Sequence, residues 1–365
     1  MSFSAQDSAF MARAITLARR GLYTTDPNPR VGCVIVQDNQ IVGEGWHERA
    51  GEAHAEVAAL KAAGDQAHGA TVYVTLEPCC HHGRTPPCTA VLATSGVTRV
   101  VAAMLDPSPQ MSGQGLEQLE GLGIASSVGL METQAAELNP GFIKRLQCGR
   151  PLLRVKLAVS MDGRTALANG ESQWITGEAA RADVQQWRAR SSVILTGIGT
   201  VLADDPSLNV RGLNTGRQPM RVIVDSNLSI SPDAKVLNID GSVMIASSCD
   251  DADLTEALTN KGARVISMPG ASGGVDLTAL MQHLASLEVN EVHVEAGAVL
   301  CGALLHEGLV DELLLYVAPH IMGDSAKGMF RIPELSAMQN RIALKTKDVR
   351  VIGDDLRIHL LVEQS

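Results

Sequence analysis

Short apolar runs alternate with helical stretches along the whole chain. Val31–Val36 and Ile41–Gly45 are β-rich runs joined by the turn residues Asp38-Asn39, which predicts a paired hairpin. His54–Ala63 switches to helical spacing and meets Gly64 as its stop. Thr71–Leu76 reads as the next strand, Thr89–Thr94 as a helix and Val97–Met104 as another strand. Ahead of them, Ala9–Arg20 carries apolar and basic residues at helical spacing. It lacks the apolar centre of a secretory leader, so it reads as the first helix of the domain. Strands and helices in alternation predict an α/β sandwich around a partly parallel sheet.

Asn139–Pro151, with its Pro, Gly and Arg, interrupts this pattern, and the pattern then restarts. Leu152–Ser160 reads as a strand, Glu178–Arg190 as a helix and Ser192–Thr196 as a strand. Met220–Asp225, Ser242–Ala246, Ala263–Met268, Glu291–Glu295 and Glu312–Ala318 follow as strands, with a helix at Val299–Glu307 between the last two. No internal repeat or low-complexity tract appears. At 365 residues the chain exceeds one typical domain, so we expect α/β domains at 1–150 and 151–365.

Composition narrows the function. The apolar fraction of 45% is ordinary for a globular protein, and the net charge of −10 leaves both halves acidic. A phosphate-backbone binder needs clustered Lys and Arg, so nucleic acid is excluded as a partner. No apolar run is long enough for a membrane span. Of the seven cysteines, Cys33, Cys148, Cys249 and Cys301 stand singly, which fits free thiols in a reducing cytoplasm.

The chemistry gathers at the ends of predicted elements. His54-Ala55-Glu56 opens one helix, and Cys79, after Pro78, and Cys88 lie around the start of the next. One imidazole and two thiolates give Zn²⁺ three protein ligands and leave a fourth position for water, as catalytic zinc sites do. Glu56 is not needed as a ligand and is placed to pass a proton from water to a leaving amine. This is the H-x-E and P-C pattern of zinc nucleobase deaminases, with eight residues instead of two between the cysteines. Cys80, His81 and His82 are also competent ligands. Cys79 is preferred because Pro78 fixes the approach after the strand, which leaves Cys80 as a packed thiol. A purely structural zinc would have no use for Glu56. A nucleic-acid-editing deaminase would need basic and stacking surface, which the acidic charge and 3% aromatic content do not supply.

The segment from Pro78 to Cys88 resembles the deaminase half of the bifunctional riboflavin-biosynthesis deaminase–reductases, whose pattern is P-C-x-H-x-G-[RK]-T-P-P-C. Thr25–Gly32 and Gly43–His47 extend the likeness upstream. The resemblance implies a cytidine-deaminase-like α/β/α sandwich with one zinc per chain on His54, Cys79 and Cys88. It also implies substrate contacts at Asn28, His47, His81 and Arg84, the last suited to a ribose phosphate.

Val155–Thr165 is similar to the start of that family's reductase domain, with Met161 where Leu is commoner. Trp174–Gly177, Gly197–Thr200, Leu202–Pro206 and Glu295–Gly302 continue the likeness over nearly the whole chain. No G-x-G-x-x-G follows a predicted strand. The stronger nucleotide signal is Glu295-Ala296-Gly297 ahead of a helix, where free amides suit a pyrophosphate. The resemblance implies a dihydrofolate-reductase-like α/β domain that uses NADPH. Its implied cofactor contacts are Ala158, Trp174, Thr200, Asp204, Ser226 and the run Gly297, Ala298, Val299, Leu300, Cys301, Gly302 and Ala303. Its implied substrate contacts are Ser172, Arg188, Leu208, Arg211 and Glu295, with the two arginines suited to a phosphate. Lys156 and Glu295, ionisable groups set in apolar strands, are expected nearest the hydride transfer. The implied reactions are deamination of 2,5-diamino-6-(5-phosphoribosylamino)pyrimidin-4-one to 5-amino-6-(5-phosphoribosylamino)uracil, then reduction of the ribosyl to the ribityl side chain. We expect a cytoplasmic homo-oligomer acting on this small molecule, with no nucleic-acid or membrane partner.

Overall fold

Alternation along one strand gives the first sheet its two covers. Strand Gly32–Gln37 (β1) sends Cys33 and Ile35 to one face and Val34 and Val36 to the other, all buried. This is a computed structural model, and it describes residues 3–81 and 86–363 in two units, Met1–Gly149 and Arg150–Ser365. In the first unit helix Ala5–Ala18 (α1) precedes β1, which pairs antiparallel with Gln40–Trp46 (β2). There follow helix Ala55–Ala63 (α2), strand Thr71–Val74 (β3), helix Cys88–Thr94 (α3) and strand Arg99–Ala102 (β4). Helix Gln114–Gly121 (α4), strand Ala125–Val128 (β5) and helices Glu132–Ala136 (α5) and Pro140–Cys148 (α6) complete it. The sheet order is β2-β1-β3-β4-β5, with β3, β4 and β5 parallel. Residues of α1, α5 and α6 cover one face; α2, α3 and α4 cover the other. The result is the three-layered α/β/α sandwich.

Close packing of α2 on β2 depends on Gly43 and Gly45. A Cβ on either would come within 2.4 Å of Ala59 backbone atoms. That contact brings His54, at the start of α2, beside His47, just past the end of β2. The ring centroids lie 5.5 Å apart, edge to face.

In the second unit strand Leu152–Ser160 (β6) is followed by Arg164–Ala166 (β7), helix Glu178–Arg190 (α7), strand Val193–Gly197 (β8) and helix Ile198–Asp204 (α8). Next come strands Met220–Val224 (β9) and Val243–Ser247 (β10), helix Ala252–Thr259 (α9), strand Ala263–Ser267 (β11) and helix Leu277–Ser286 (α10). Strand Glu291–Val294 (β12), helix Ala298–His306 (α11), and strands Glu312–Ala318 (β13), Lys327–Gly328 (β14), Leu344–Ile352 (β15) and Asp355–Val362 (β16) finish the chain. The nine-stranded order is β11-β10-β9-β8-β12-β6-β13-β16-β15, parallel from β11 to β13 and closed by an antiparallel hairpin.

One face of this sheet is apolar and the other carries charge. Leu153, Val155, Leu157 and Val159 of β6 pack with α10 and α11. The alternate residues Arg154 and Lys156 share the opposite face with Glu291 and His293 of β12 and Glu312 of β13. Arg154, fully buried, lies 3.1 Å from Glu291 and 2.6 Å from Glu312, and Arg190 of α7 lies 3.0 Å from Glu291. A charge is tolerated at such depth only when paired this way.

The stretch read as a boundary contains α6, tied to the first unit by Asn139. Its side chain accepts the Arg30 N–H at 2.8 Å and donates to the Arg30 carbonyl at 2.9 Å. Arg150, two residues past the end of α6, forks onto Asp311 at 2.8 and 2.9 Å within the second unit. No helix among the described residues is long and apolar enough to cross a membrane.

Candidate active sites

Two helix starts converge at the first site. His54 is the N-cap of α2 and Cys88 the first residue of α3, and neither start has a side-chain cap. First-turn N–H groups and the positive ends of the helices favour thiolates there. The Cys88 N–H donates to Cys79 Sγ at 3.3 Å. His54 Nδ1 lies 3.2 Å from Cys88 Sγ and 3.6 Å from Cys79 Sγ, and the three ligand atoms all lie within 4.8 Å of one another. Tetrahedral zinc with ordinary Zn–N and Zn–S bonds needs ligand separations of about 3.5–3.8 Å. The donor set therefore fits zinc, and it is the only such group among the described residues.

Hydrogen bonding with Cys88 pulls the Cys79 thiol down to about 4 against its burial, with His54 adding to the effect, and the same contact pushes Cys88 up. Two thiolates repel in so small a space, and a divalent cation held by the three atoms would offset that repulsion. Glu56 lies buried in the first turn of α2, and burial raises its carboxyl above the ordinary range.

Around this centre, His47 is buried and engaged at both ring nitrogens. Its Nδ1 lies 3.0 Å from the Ala53 carbonyl and its Nε2 lies 3.0 Å from Asn28 Nδ2. Donation to Ala53 sets the tautomer that accepts from Asn28. His81 is exposed, and Cys80 stands outside the three-ligand cluster. Arg84 and His82 lie outside the described residues.

The second site lies where an open α/β sheet is expected to bind a ligand, at the carboxyl ends of its parallel strands. β12 is inserted between β8 and β6, and the connections diverge there. Lys156 and Ala158 lie on β6, Thr200 in α8 and Ser226 just past β9; Glu295 follows β12 directly. Arg188 grips Glu295 through Nε at 2.5 Å and Nη2 at 3.0 Å, and its Nη1 donates to the Asn209 carbonyl at 3.0 Å. Burial opposes ionisation of Glu295, but Arg188, with His293 and Lys156, holds its carboxyl well below the usual range. Burial pushes Lys156 down, partly offset by Glu295.

Helix α11 begins at Gly297 without a side-chain cap, and nothing lies within 4 Å of where a Gly297 Cβ would stand. Not every residue of the following run presents its side chain. Cys301 is packed in the core, and Gly302 is required by the Arg331 backbone, 2.1 Å from where its Cβ would lie. Leu208, read as a substrate contact, is likewise buried in the core. Trp174 is 71% exposed under the Arg181 guanidinium, 4.7 Å from the ring centroid. Ser172 is half-buried, whereas the Asp204 and Arg211 side chains are exposed.

Residues 151–358 match the RibD C-terminal domain, and residues 4–104 match the cytidine and deoxycytidylate deaminase zinc-binding region. The riboflavin biosynthesis protein RibD of Escherichia coli is 48% identical over 98% of this chain and 99% of its own length. That of Haemophilus influenzae is 47% identical over 98% of each. Among solved structures, Acinetobacter baumannii RibD superposes with a TM-score of 0.91 at 45% identity, covering 98% of this chain and 99% of that one. A Thermotoga maritima diaminohydroxyphosphoribosylaminopyrimidine deaminase/5-amino-6-(5-phosphoribosylamino)uracil reductase gives 0.87 at 32% identity, covering 98% and 99%.

Proposed function

The chain belongs to the RibD family of riboflavin biosynthesis proteins, and from that premise we propose how its own residues divide the work. It is a bifunctional enzyme, a zinc-dependent deaminase and an NADPH-dependent reductase, and its substrate is the phosphoribosylaminopyrimidine for which the Thermotoga maritima deaminase/reductase is named. Residues 1–150 carry the deamination and residues 151–365 the reduction. The convergence of His54, Cys79 and Cys88 beside buried Glu56 carries this reading.

His54, Cys79 and Cys88 hold the zinc, which supplies the positive charge that makes water a nucleophile near neutral pH. Glu56 takes the proton released by the attacking water and returns it to the departing ammonia. Its burial supports that duty, because a carboxyl with a raised proton affinity holds the proton between the two steps. Asn28, with its amide N–H directed to His47, keeps its carbonyl oxygen free to accept from the pyrimidine. His81 and Arg84 complete the substrate contacts, with Arg84 on the phosphate.

In the reductase, NADPH supplies the hydride. The uncapped start of α11 receives its pyrophosphate, with Ala158, Trp174, Thr200, Asp204 and Ser226 along the same cleft. Lys156 and Glu295 face the reacting end of the ribosyl chain, and Arg188 fixes Glu295 in its ionised form. Arg211, exposed, is left for the substrate phosphate, and Ser172 lines its approach. All seven cysteines are free, which supports the cytoplasm as the compartment.

The purified chain is expected to release ammonia from the diaminopyrimidinone phosphate and to oxidise NADPH only with the deaminated product. Elemental analysis separates the adjacent thiols: Cys79→Ser should lose zinc and Cys80→Ser should keep it. Zinc retained by the first variant and lost from the second would overturn the ligand assignment.

A further inference from the structure

Helix α4 lies beyond residues 4–104, the part matched to the zinc-binding region, yet it is bonded to both cysteine-bearing segments. Its N-cap is Gly113, which has no side chain to offer the free N–H groups of the first turn. The carboxylate of Glu77, two residues before Cys79, takes that place from across the fold. Its Oε1 accepts the N–H groups of Gly115 at 2.8 Å and Leu116 at 3.3 Å. Its Oε2 accepts those of Gly113 and Asp106, both at 2.9 Å. A negative group at this helix end is further favoured by the helix dipole. The approach is so close that a Cβ on Gly115 would stand 2.1 Å from the Pro78 carbonyl oxygen.

One turn further along α4, Gln118 reaches the other ligand segment. Its Oε1 accepts the Thr89 hydroxyl at 2.7 Å, and Thr89 directly follows Cys88. The Thr89 N–H in turn donates to the Cys79 carbonyl at 3.2 Å, which closes a loop of bonds from Cys79 through Glu77, α4 and Thr89 to Cys88.

We propose that α4 is a clamp, with Glu77 and Gln118 as positioning residues that fix the Cys79–Cys88 separation and so govern how long the zinc is retained. This rests on the assignment of His54, Cys79 and Cys88 as the ligands. Neither residue touches the metal. Groups that orient ligands from behind typically change metal affinity by about 10–100-fold when removed. In Glu77→Gln one acceptor oxygen becomes an NH₂ pointed at backbone donors, so half of the cap is lost.

The test is the rate at which zinc-loaded whole chain gives up its metal to excess chelator, read by a colorimetric zinc indicator. Glu77→Gln is expected to release zinc about 10–100-fold faster than the unaltered chain. Gln118 is exposed, so Gln118→Ala leaves the core intact and is expected to release zinc several-fold faster. Gln118→Glu keeps an acceptor for Thr89 and should restore the original rate, a rescue that general loosening of the fold would not give. Melting temperature and NADPH turnover on the deaminated substrate are measured alongside and should not separate the Gln118 variants from the unaltered chain. Unaltered release rates in Glu77→Gln and Gln118→Ala overturn the clamp while leaving the ligand assignment standing. If Glu77→Gln does not fold, the Gln118 pair decides alone, and an unchanged rate in Gln118→Ala overturns the proposal. An unaltered chain that takes up no zinc would overturn the ligand assignment, and the clamp with it.

Discussion

Glu56→Gln is expected to lower the deamination rate by about 10²-fold or more while zinc content stays at one per chain. The amide has nearly the shape of the carboxylate and sits in the same buried first turn of α2, so the three ligand atoms keep their places. It cannot carry the proton from water to the departing ammonia, and the cluster of His54, Cys79 and Cys88 contains no carboxylate to replace it. The measurement is steady-state ammonia release by metal-loaded protein, with zinc counted in the same samples. Near-unaltered turnover with zinc present would remove Glu56 from the mechanism. NADPH oxidation with the deaminated substrate should be unaffected, because Lys156, Arg188 and Glu295 belong to the other unit.

Much of the fold was legible because burial imposes period. Leu152–Ser160 and Glu178–Arg190 have the same bounds in the sequence reading and in the structure. The first alternates apolar residues against α10 and α11 with Arg154 and Lys156 on the charged face. Where burial is slight the signal fades. Strand β15 is exposed along most of its length, and Lys345, Lys347, Asp348 and Arg350 interrupt its β-branched residues, so no apolar run or buried face marks it as a strand. Strand β5 lies at the sheet edge with none of its residues buried and was missed for the same reason. Helix α6 was concealed by the Pro and Gly that mark a linker, although Pro140 sits in its first turn, where proline is tolerated.

The sites divide in the same way. His54, Glu56, Cys79 and Cys88 stood out as candidates because their side chains lie at or near element starts, and the structure brings the three ligand atoms of His54, Cys79 and Cys88 within 4.8 Å of one another, with buried Glu56 against Cys88. The work of Glu77 was not visible, because its four partners are backbone N–H groups, which every residue but proline possesses. Arg188 shows the opposite limit. Its charge suits a phosphate, but only the fold reveals that its guanidinium is occupied by Glu295 and the Asn209 carbonyl.

That pairing sharpens the expectations for the reductase, where two kinds of variant should fail in opposite ways. Lys156→Ala and Glu295→Gln are expected to depress turnover by about 10²-fold or more with little change in NADPH affinity, since both are assigned to the reacting end of the substrate. In Glu295→Gln the largely buried Arg188 also loses its charged partner, so part of the loss reflects an arginine no longer held in place. Gly297→Trp should do the reverse, with NADPH binding weakened by an order of magnitude or more. The backbone of Gly297 has φ −74° and ψ 172°, which any residue adopts, and the space beyond it is open. The tryptophan therefore fits the fold and projects over the uncapped amides of α11, where it blocks close approach of a pyrophosphate. Titration of NADPH fluorescence gives affinity for all three variants, and NADPH consumption with the deaminated substrate gives turnover. Normal cofactor binding by Gly297→Trp together with lost binding by Lys156→Ala would place the nucleotide away from α11 and overturn the map of the second site.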